Sequence, residues 1–267
     1  MTGAAVLRAG GQWAVFTGQV LATLPVTVRH YRRQIVQAMN GLAWGRGSLL
    51  VDGGVISVLL ILGLAMGASL AIESFSTLNM IGFGPLAGIV GGVANVRELA
   101  PLMTGIAFAT QAGCRMTAEI GSMRIAEEID ATEAMGLRPI PFVVGSRLLG
   151  ALACLIPGYF VVLIASFVIA DTVITVFRAQ PAGTYQHYFV QFLTPTDIGF
   201  SLLKAAVFCA LVTVIHCYYG YFADGGPVGV GQASGRAVRA SLVAIVVVNF
   251  TLTVSIWGLR PEFVFTG

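Results

Sequence analysis

Eight charged side chains between residues 114 and 138 could form a docking surface for another protein. The whole chain has 15 Lys and Arg and 12 Asp and Glu, so this short stretch holds a large share of its charge. Two i,i+4 pairs, which begin at Arg115 and Arg124, have the spacing that weakly stabilises a helix. Residues 127–133 contain more acidic side chains than the nearby arginines can pair with, so we expect a basic partner. The eight residues are Arg115, Glu119, Arg124, Glu127, Glu128, Asp130, Glu133 and Arg138.

Other residue patterns give little support for catalysis within the chain. A phosphate-binding P-loop needs a lysine, and the only one, Lys204, lies inside an apolar run. If the protein works with ATP, we therefore expect another chain to hydrolyse it. The glycines at 229–231 lack a preceding strand and a third glycine, and we expect a flexible turn there. His30, His187 and His216 do not share the spacing of metal ligands.

Composition places these residues in a membrane protein. Hydrophobic residues make up 57% of the chain and charged residues 10%, against roughly 25% charged in soluble domains. The mean hydropathy is +0.86. The 33 glycines suit close helix packing in lipid. A soluble all-α protein is the alternative, but its helices would need a polar face that several segments lack. The basic residues are scattered and the net charge is +3, which argues against nucleic-acid binding.

Apolar runs predict five membrane spans, which must position the charged stretch. Residues 84–96 are apolar but too short to span, so they either re-enter the membrane or extend the second span. Residues 171–196 are predicted to form a polar loop. Pro157 is predicted to kink the third span. The five spans cover about 49–72, 97–114, 142–170, 198–221 and 238–258.

The amino-terminal region is predicted to lie at the membrane surface. Its residues 1–28 fit a signal peptide poorly. From residue 28, apolar side chains recur at helical spacing beside arginines, which is typical of an interfacial helix. A solvated helix packed on the protein is the alternative. Arginines are most frequent before the first span, so the amino terminus is predicted to be cytosolic and, after five spans, the carboxyl terminus periplasmic.

Several segments together resemble the MlaE/YrbE family, the membrane permeases of ABC transporters that move lipids with MCE proteins. The similarity covers roughly residues 50–258. The sequence EEIDA at 127–131 is the most specific part of this similarity. The long, arginine-bearing amino terminus and the sequence EEIDATEAMG at 127–136 also resemble the actinobacterial Mce branch of the family. The matching segments are AEIGSMR at 118–124, EEIDA at 127–131, EAMGLRPI at 133–140, RELAP at 97–101, GGPVGVG at 225–231 and RAV at 236–238.

This resemblance implies an all-α polytopic permease of the inner (cytoplasmic) membrane with an interfacial helix, five spans and a cytosolic coupling helix. The domains would be a helical region at 1–48, a permease domain at 49–258 with its coupling helix at about 115–137, and a periplasmic tail at 259–267. The chain itself would need no cofactor, because ATP and Mg would sit on the ATPase.

The resemblance also implies partners. The permease would pair with a second one, a paralogue in the Mce branch, and bind two ATPase subunits and periplasmic MCE proteins. The complex would import a lipid of the fatty acid, sterol or phospholipid class. Neither nucleic acid nor a metal is expected as a partner.

Two groups of site residues follow from the resemblance. The coupling helix would contact the ATPase, although a solvated run of charges is the alternative reading. Ionisable residues near a span usually face a cavity or a partner, which makes a second group candidates for a lipid cavity. Arg97 could instead cap the helix at the membrane interface. The coupling residues are Glu119, Arg124, Glu127, Glu128, Asp130 and Glu133, and the cavity residues are Arg97, Glu98 and Glu73.

Two other functions remain open at this point. An integral membrane enzyme acting on lipids could use Glu98, Glu127 or Glu128 as an acid or base, but no nucleophile or histidine partner clusters with them. A passive membrane anchor for MCE proteins is the other alternative. Co-isolation of an ATPase and ATP hydrolysis stimulated by lipid would support the transporter alone.

Overall fold

The computed structural model describes residues 3–45, 54–178 and 180–258, and every regular element in these ranges is helical. This confirms the all-α class. The α-helices are α1 (Gly3–His30), α2 (Arg32–Trp44), α3 (Val55–Met80), α4 (Ala87–Ile89), α5 (Ala100–Phe108), α6 (Cys114–Ile125), α7 (Glu128–Ala134), α8 (Ser146–Thr172), α9 (Ala182–Phe192), α10 (Pro195–Tyr221) and α11 (Gly226–Trp257). A 3₁₀ turn covers Gly84–Leu86, and π-helical segments cover Val90–Leu99, Ala109–Gly113, Ile140–Gly145 and Val173–Phe177.

Four helical segments among the described residues are long and apolar enough to cross a bilayer. They correspond to the first, third, fourth and fifth predicted spans, and most are longer than predicted. The last begins at Gly226 rather than near residue 238, so the glycines at 229–231 are helical and the prediction of a flexible turn there was wrong. The segments are Val55–Met80, Ile140–Phe177, Pro195–Tyr221 and Gly226–Trp257.

The predicted second span, 97–114, belongs to a helical stretch that runs without interruption from residue 84 to residue 125. Residues 84–96 therefore extend this span rather than re-enter. The stretch is not among the four apolar segments. Charged and amide side chains, including those of Arg97 and Glu98, make it more polar than the other segments. The count of five spans stays a prediction.

Predictions for the connections had mixed outcomes. The expected polar loop at 171–196 was wrong, because the preceding helix continues to Phe177 and α9 fills much of the remainder. The amino-terminal region is helical as expected, but it forms two helices that break at Tyr31. The predicted tail at 259–267 and the predicted domain boundary at residue 48 lie outside the described residues.

The chain divides into two compact units, each built from three stretches of sequence. Unit 1 comprises Met1–Ser57, Ala107–Leu155 and Cys209–Leu242. Unit 2 comprises Val58–Ile106, Ile156–Phe208 and Val243–Gly267.

Within unit 1, α1 is held closely against the segment that begins at Ile140. The Thr27 hydroxyl donates a hydrogen bond to the carbonyl oxygen of Pro141, at 3.3 Å. A Cβ on Gly145 would lie 2.5 Å from the Thr27 Oγ1, so only glycine permits this approach. The Trp13 ring stacks on Tyr218 with ring centroids 3.8 Å apart. The amino-terminal helix is therefore an integral part of unit 1.

Within unit 2, α9 packs against the helical stretch that contains the predicted second span. A Cβ on Gly88 would lie 2.6 Å from the carbonyl oxygen of Tyr185, which explains a glycine at this position. Tyr185 is buried in an apolar cluster with Phe75 and neighbouring alanine, valine and isoleucine side chains. The Asn95 amide donates to the Ser166 hydroxyl at 2.9 Å. These contacts fix the π-helical segment Val90–Leu99, which carries two candidate site residues.

Candidate functional site

The predicted coupling helix is two helices joined by a sharp turn. Helix α6 ends at Ile125 and α7 begins at Glu128. Between them, Glu127 has a φ of 58°, the only positive φ of a non-glycine residue in the described ranges. The prediction of one helix over 115–137 was wrong here. The turn lets α7 bury Ile129, which is 1% exposed, whereas most of its neighbours face solvent.

The turn also changes the predicted ion pairs. Arg115 Nε lies 2.9 Å from Glu119 Oε1, which confirms the first i,i+4 pair. Arg124 does not pair with Glu128. Its Nη1 lies 2.5 Å from Asp130 Oδ1 instead, because the left-handed residue redirects the chain after α6. A straight helix would have placed Arg124 and Glu128 on one face.

We call residues 125–137 the acidic turn. Glu127, Glu128 and Glu133 are all exposed there and have no ion-pair partner among the described residues. Two apolar side chains accompany them, since Met135 is 70% exposed and Ile125 is 42% exposed. Unpaired carboxylates beside exposed apolar groups are typical of a surface that binds another protein. Such a partner would need a basic face.

Glu119 lies apart from the acidic turn and is held by two arginines. Besides its bond to Arg115, its Oε2 lies 3.5 Å from Arg147 Nη2. Arg115 also donates to the carbonyl oxygen of Gly41 on α2, at 2.8 Å. Arg147 is not among the residues predicted from the sequence, because it falls inside the predicted third span. An arginine within an apolar run was nevertheless a signal for a specific partner.

In unit 2, Arg97 forms a two-point ion pair with Asp197 at the start of α10. The Arg97 Nε and Nη2 atoms lie 3.0 and 3.3 Å from the two carboxylate oxygens. Asp197 also accepts hydrogen bonds from the Trp257 indole, at 2.8 Å, and from the Thr194 hydroxyl, at 2.7 Å. The Asp197 side chain is only 7% exposed and that of Arg97 is 32% exposed. The carboxylate is thus enclosed, and the guanidinium reaches the surface of the unit.

Glu98 pairs with a different cation, as expected for adjacent residues on a helix. Lys204 Nζ lies 3.1 Å from Glu98 Oε1. Glu98 also accepts hydrogen bonds from Thr253, at 2.6 Å, and Asn249, at 2.9 Å. Lys204 additionally donates to the carbonyl oxygen of Arg97, at 2.9 Å, and its side chain is fully buried. We call Arg97, Glu98, Asp197 and Lys204 the buried charge network.

Half of this network is predicted from the sequence: Arg97 and Glu98 are among the expected cavity residues, whereas Asp197 and Lys204 are not. The sequence nevertheless contained a signal for them. Asp197 and Lys204 lie seven positions apart on one face of α10, and their charges are opposite to those of Arg97 and Glu98, respectively. Glu73 does not join the network. It is exposed on α3 and has no ion-pair partner among the described residues.

The histidines and cysteines do not come together at a common site. His216 is buried beside Thr117, whose hydroxyl lies 2.8 Å from its Nδ1 atom. The four cysteines are free thiols, three of them buried. Within the described residues, no group of three or more His, Cys, Asp or Glu side chains is arranged to hold a metal ion.

Comparisons with known proteins show which sequences this chain resembles. The family model described as Permease MlaE matches residues 47–255. A probable ABC transporter permease protein of Rickettsia conorii is 30% identical over 196 residues, covering 70% of this chain and 72% of that protein. A probable ABC transporter permease protein of Synechocystis is 32% identical over 171 residues, covering 61% and 64%. The chloroplastic protein TRIGALACTOSYLDIACYLGLYCEROL 1 of Arabidopsis thaliana is 29% identical over 201 residues, covering 74% and 57%.

Proposed function

The chain belongs to the MlaE permease family, and on that premise we propose that it moves lipid across the cytoplasmic membrane. It is a multi-pass membrane protein and a permease subunit of an ABC transporter, as its relatives are. The lipid would be of the fatty acid, sterol or phospholipid class. The name of the Arabidopsis relative contains that of a galactolipid, which supports a lipid substrate.

One observation carries the proposal of ATP-driven coupling: the acidic turn exposes carboxylates that have no partner within the described chain. Glu127, Glu128 and Glu133 offer negative charge to a basic groove, and Asp130 and Arg124 brace the turn with their ion pair. We assign this surface to the contact with an ATPase subunit. ATP and Mg would be held by that subunit, since Lys204 is enclosed by Glu98 and Thr253 and is not free to bind phosphate.

For the substrate, we propose that the surface-reaching edge of the buried charge network faces the lipid cavity. Arg97 and Glu98 each keep about a third of their side chain exposed, 32% and 36%. Arg97 uses Nε and Nη2 for Asp197, which leaves Nη1 to donate to a headgroup or carboxylate. Glu73 would add an exposed carboxylate to the same cavity wall. The network would thus hold a cation at a fixed position for a passing lipid.

The remaining partners are proposed from the family resemblance. A second permease, a paralogue of the Mce branch, would complete a dimer on two ATPase subunits. MCE proteins in the periplasm would deliver lipid for import. In this arrangement the amino terminus is cytosolic and the carboxyl terminus periplasmic. Protease-sensitive tags at the two ends of the chain test the orientation in intact cells and in inverted vesicles, and cleavage of both tags from the same side would contradict it.

Isolation of the complex from its native membrane tests the function. We expect an ATPase subunit to co-purify, ATP hydrolysis to rise when lipid is added, and extraction of the complex to yield bound lipid. An integral membrane enzyme would instead alter the lipid chemically without ATP. A passive anchor would co-purify with MCE proteins but would show neither ATP hydrolysis nor bound lipid. Either of these two results would overturn the proposal.

A further inference from the structure

Unit 1 contains a cavity of about 610 Å³, lined by both apolar and polar side chains, that the proposed function does not use. Its walls come from α2, from α6 and from the helical segment that begins at Ile140. A cavity of this size lies within the range of roughly 300–1,000 Å³ that is typical of ligand sites. Its walls include the amides of Gln34 and Gln37 together with the side chains of Arg115, Glu119 and Arg147.

The charges in this cavity do not balance. Among the described residues, Arg115, Glu119 and Arg147 are the only charged ones in its wall, so one positive charge is left over there. The Arg147 side chain is 17% exposed and that of Arg115 is 30% exposed. A charge that is partly withdrawn from water is more favourable when a counter-charge accompanies it. Glu119 cannot fill this role for both arginines, because its single carboxylate is already shared between them.

Hydrogen-bond donors also remain unused. Arg115 donates through Nε to Glu119 and through Nη1 to Gly41, and its Nη2 has no acceptor in the described chain. Arg147 donates through Nη1 to Val143, and its Nη2 reaches Glu119 only at 3.5 Å and the Met123 sulfur at 3.7 Å. Its Nε is free among the described residues. A guanidinium carries five N–H donors, so both groups can bind a further acceptor.

We propose that this cavity binds a phosphate group. Both arginines offer unused N–H donors, and the amides of Gln34 and Gln37 in the same wall add further donors. The three or four oxygens of a phosphate can accept from all of them, whereas a carboxylate has only two oxygens. The phosphate belongs either to the headgroup of a phospholipid or to free phosphate. Helix α2, the carboxyl-terminal part of the predicted interfacial region, forms one wall, which suits a headgroup.

The experiment is a calorimetric titration of the purified full chain in detergent, without ATP or an ATPase. Its failure would therefore leave the transport proposal untouched. Two probes separate the sources: inorganic phosphate and dihexanoylphosphatidic acid, which carries a phosphate headgroup on short acyl chains. Stronger binding of the lipid probe assigns the site to a headgroup, and equal binding assigns it to free phosphate. Absence of saturable binding for both probes overturns the proposal.

Two variants with opposite expected effects identify the site. Arg147→Gln should weaken binding about tenfold or more, because it removes a charge-assisted donor. Glu119→Gln should tighten binding about threefold or more, because it removes the competing carboxylate from both arginines. A merely structural role for Glu119 would not produce tighter binding. Arg239→Gln, at an exposed arginine outside the cavity wall, is the matched control and should leave the Kd unchanged. Unchanged binding by Arg147→Gln or weaker binding by Glu119→Gln would contradict the assignment.

Discussion

The acidic turn of unit 1 and the buried charge network of unit 2 use similar residues in opposite ways. In the acidic turn, three glutamates are exposed and have no ion-pair partner in the described chain. In the network, two cations and two carboxylates neutralise one another, and hydroxyl, amide and indole groups complete the hydrogen bonds of the carboxylates. The first arrangement leaves charge for a partner, and the second neutralises its charge within the unit.

This contrast separates docking from stability. Exposed charges contribute little to folding, so their removal should affect a partner more than the fold. Breaking a buried pair leaves an uncompensated charge and is costly. The predictions below test whether the two regions really differ in this way, beginning with the largest expected effect.

Charge reversal in the acidic turn should abolish ATPase binding and leave the permease folded. The triple variant Glu127→Lys, Glu128→Lys and Asp130→Lys should lower co-purification of the ATPase by about tenfold or more, because a basic groove would then meet like charge. The measurement is the ATPase recovered per permease. Asp224→Lys, an exposed acid on a different interhelical turn, is the control. Normal recovery with the triple variant would contradict the docking assignment.

Removal of Glu98 should destabilise unit 2 strongly. Glu98→Ala leaves the fully buried Lys204 without its carboxylate, and we expect a loss of about 3 kcal/mol, the order measured for broken buried pairs. Thermal unfolding in detergent measures the effect. The double variant Glu98→Gln with Lys204→Met removes both charges and should recover most of the stability. Glu73→Ala, at an exposed acid, should change stability by less than about 0.5 kcal/mol. Equal losses of stability for Glu73→Ala and Glu98→Ala would show that the exposed acid and the acid of the network do not differ in their contribution to folding.

Arg97 tests whether the network also serves transport. Arg97→Ala should reduce lipid transport per assembled complex about tenfold, since it removes a charged hydrogen-bond donor. Arg97→Lys should recover part of the loss if a point charge suffices and little if the two-point geometry matters. Uptake normalised to complex, measured for Ala, Lys and Glu at this position, gives the answer. Wild-type rates in all three would remove Arg97 from the site and leave it a purely structural residue.

The smallest expected effect concerns the backbone of the acidic turn. Glu127→Gly should raise the free energy of unfolding by up to about 1 kcal/mol, because glycine adopts a φ of 58° without steric cost. ATPase binding should fall only partly, since the two other unpaired carboxylates of the turn, those of Glu128 and Glu133, remain. Glu127→Val, which is disfavoured at positive φ, should instead destabilise the turn. Complete loss of ATPase binding in Glu127→Gly would show that one side chain, rather than the summed charge, carries the docking.

The four apolar helical segments could largely be predicted because their hydrophobicity alone indicates them. The fourth predicted span, 198–221, lies within α10 almost end to end. The acidic turn could be predicted as a charged surface but not as a turn. Glutamate rarely adopts a left-handed backbone, and the local sequence favours a continuous helix, so only the burial of Ile129 by tertiary packing explains the break.

The network was only half predicted because its charges are spread over the chain. Arg97 and Glu98 are adjacent, but their partners lie about a hundred residues later on α10. From its sequence context alone, Lys204 indicates only that the chain has no P-loop. The same limitation applies to Arg147, whose partner Glu119 lies on a different helix. Charged residues within apolar runs usually pair with one another, so each of them predicts an oppositely charged partner elsewhere in the chain.

ATP-driven lipid transfer by the reconstituted complex tests the central claim most directly. Permease and ATPase are placed in vesicles with a labelled lipid, and transfer is followed with and without ATP. We predict transfer that depends on ATP in the wild type and in Asp224→Lys, and its loss in the variant with reversed charges at Glu127, Glu128 and Asp130. Transfer without ATP, or equal transfer by the reversed variant, would contradict the account.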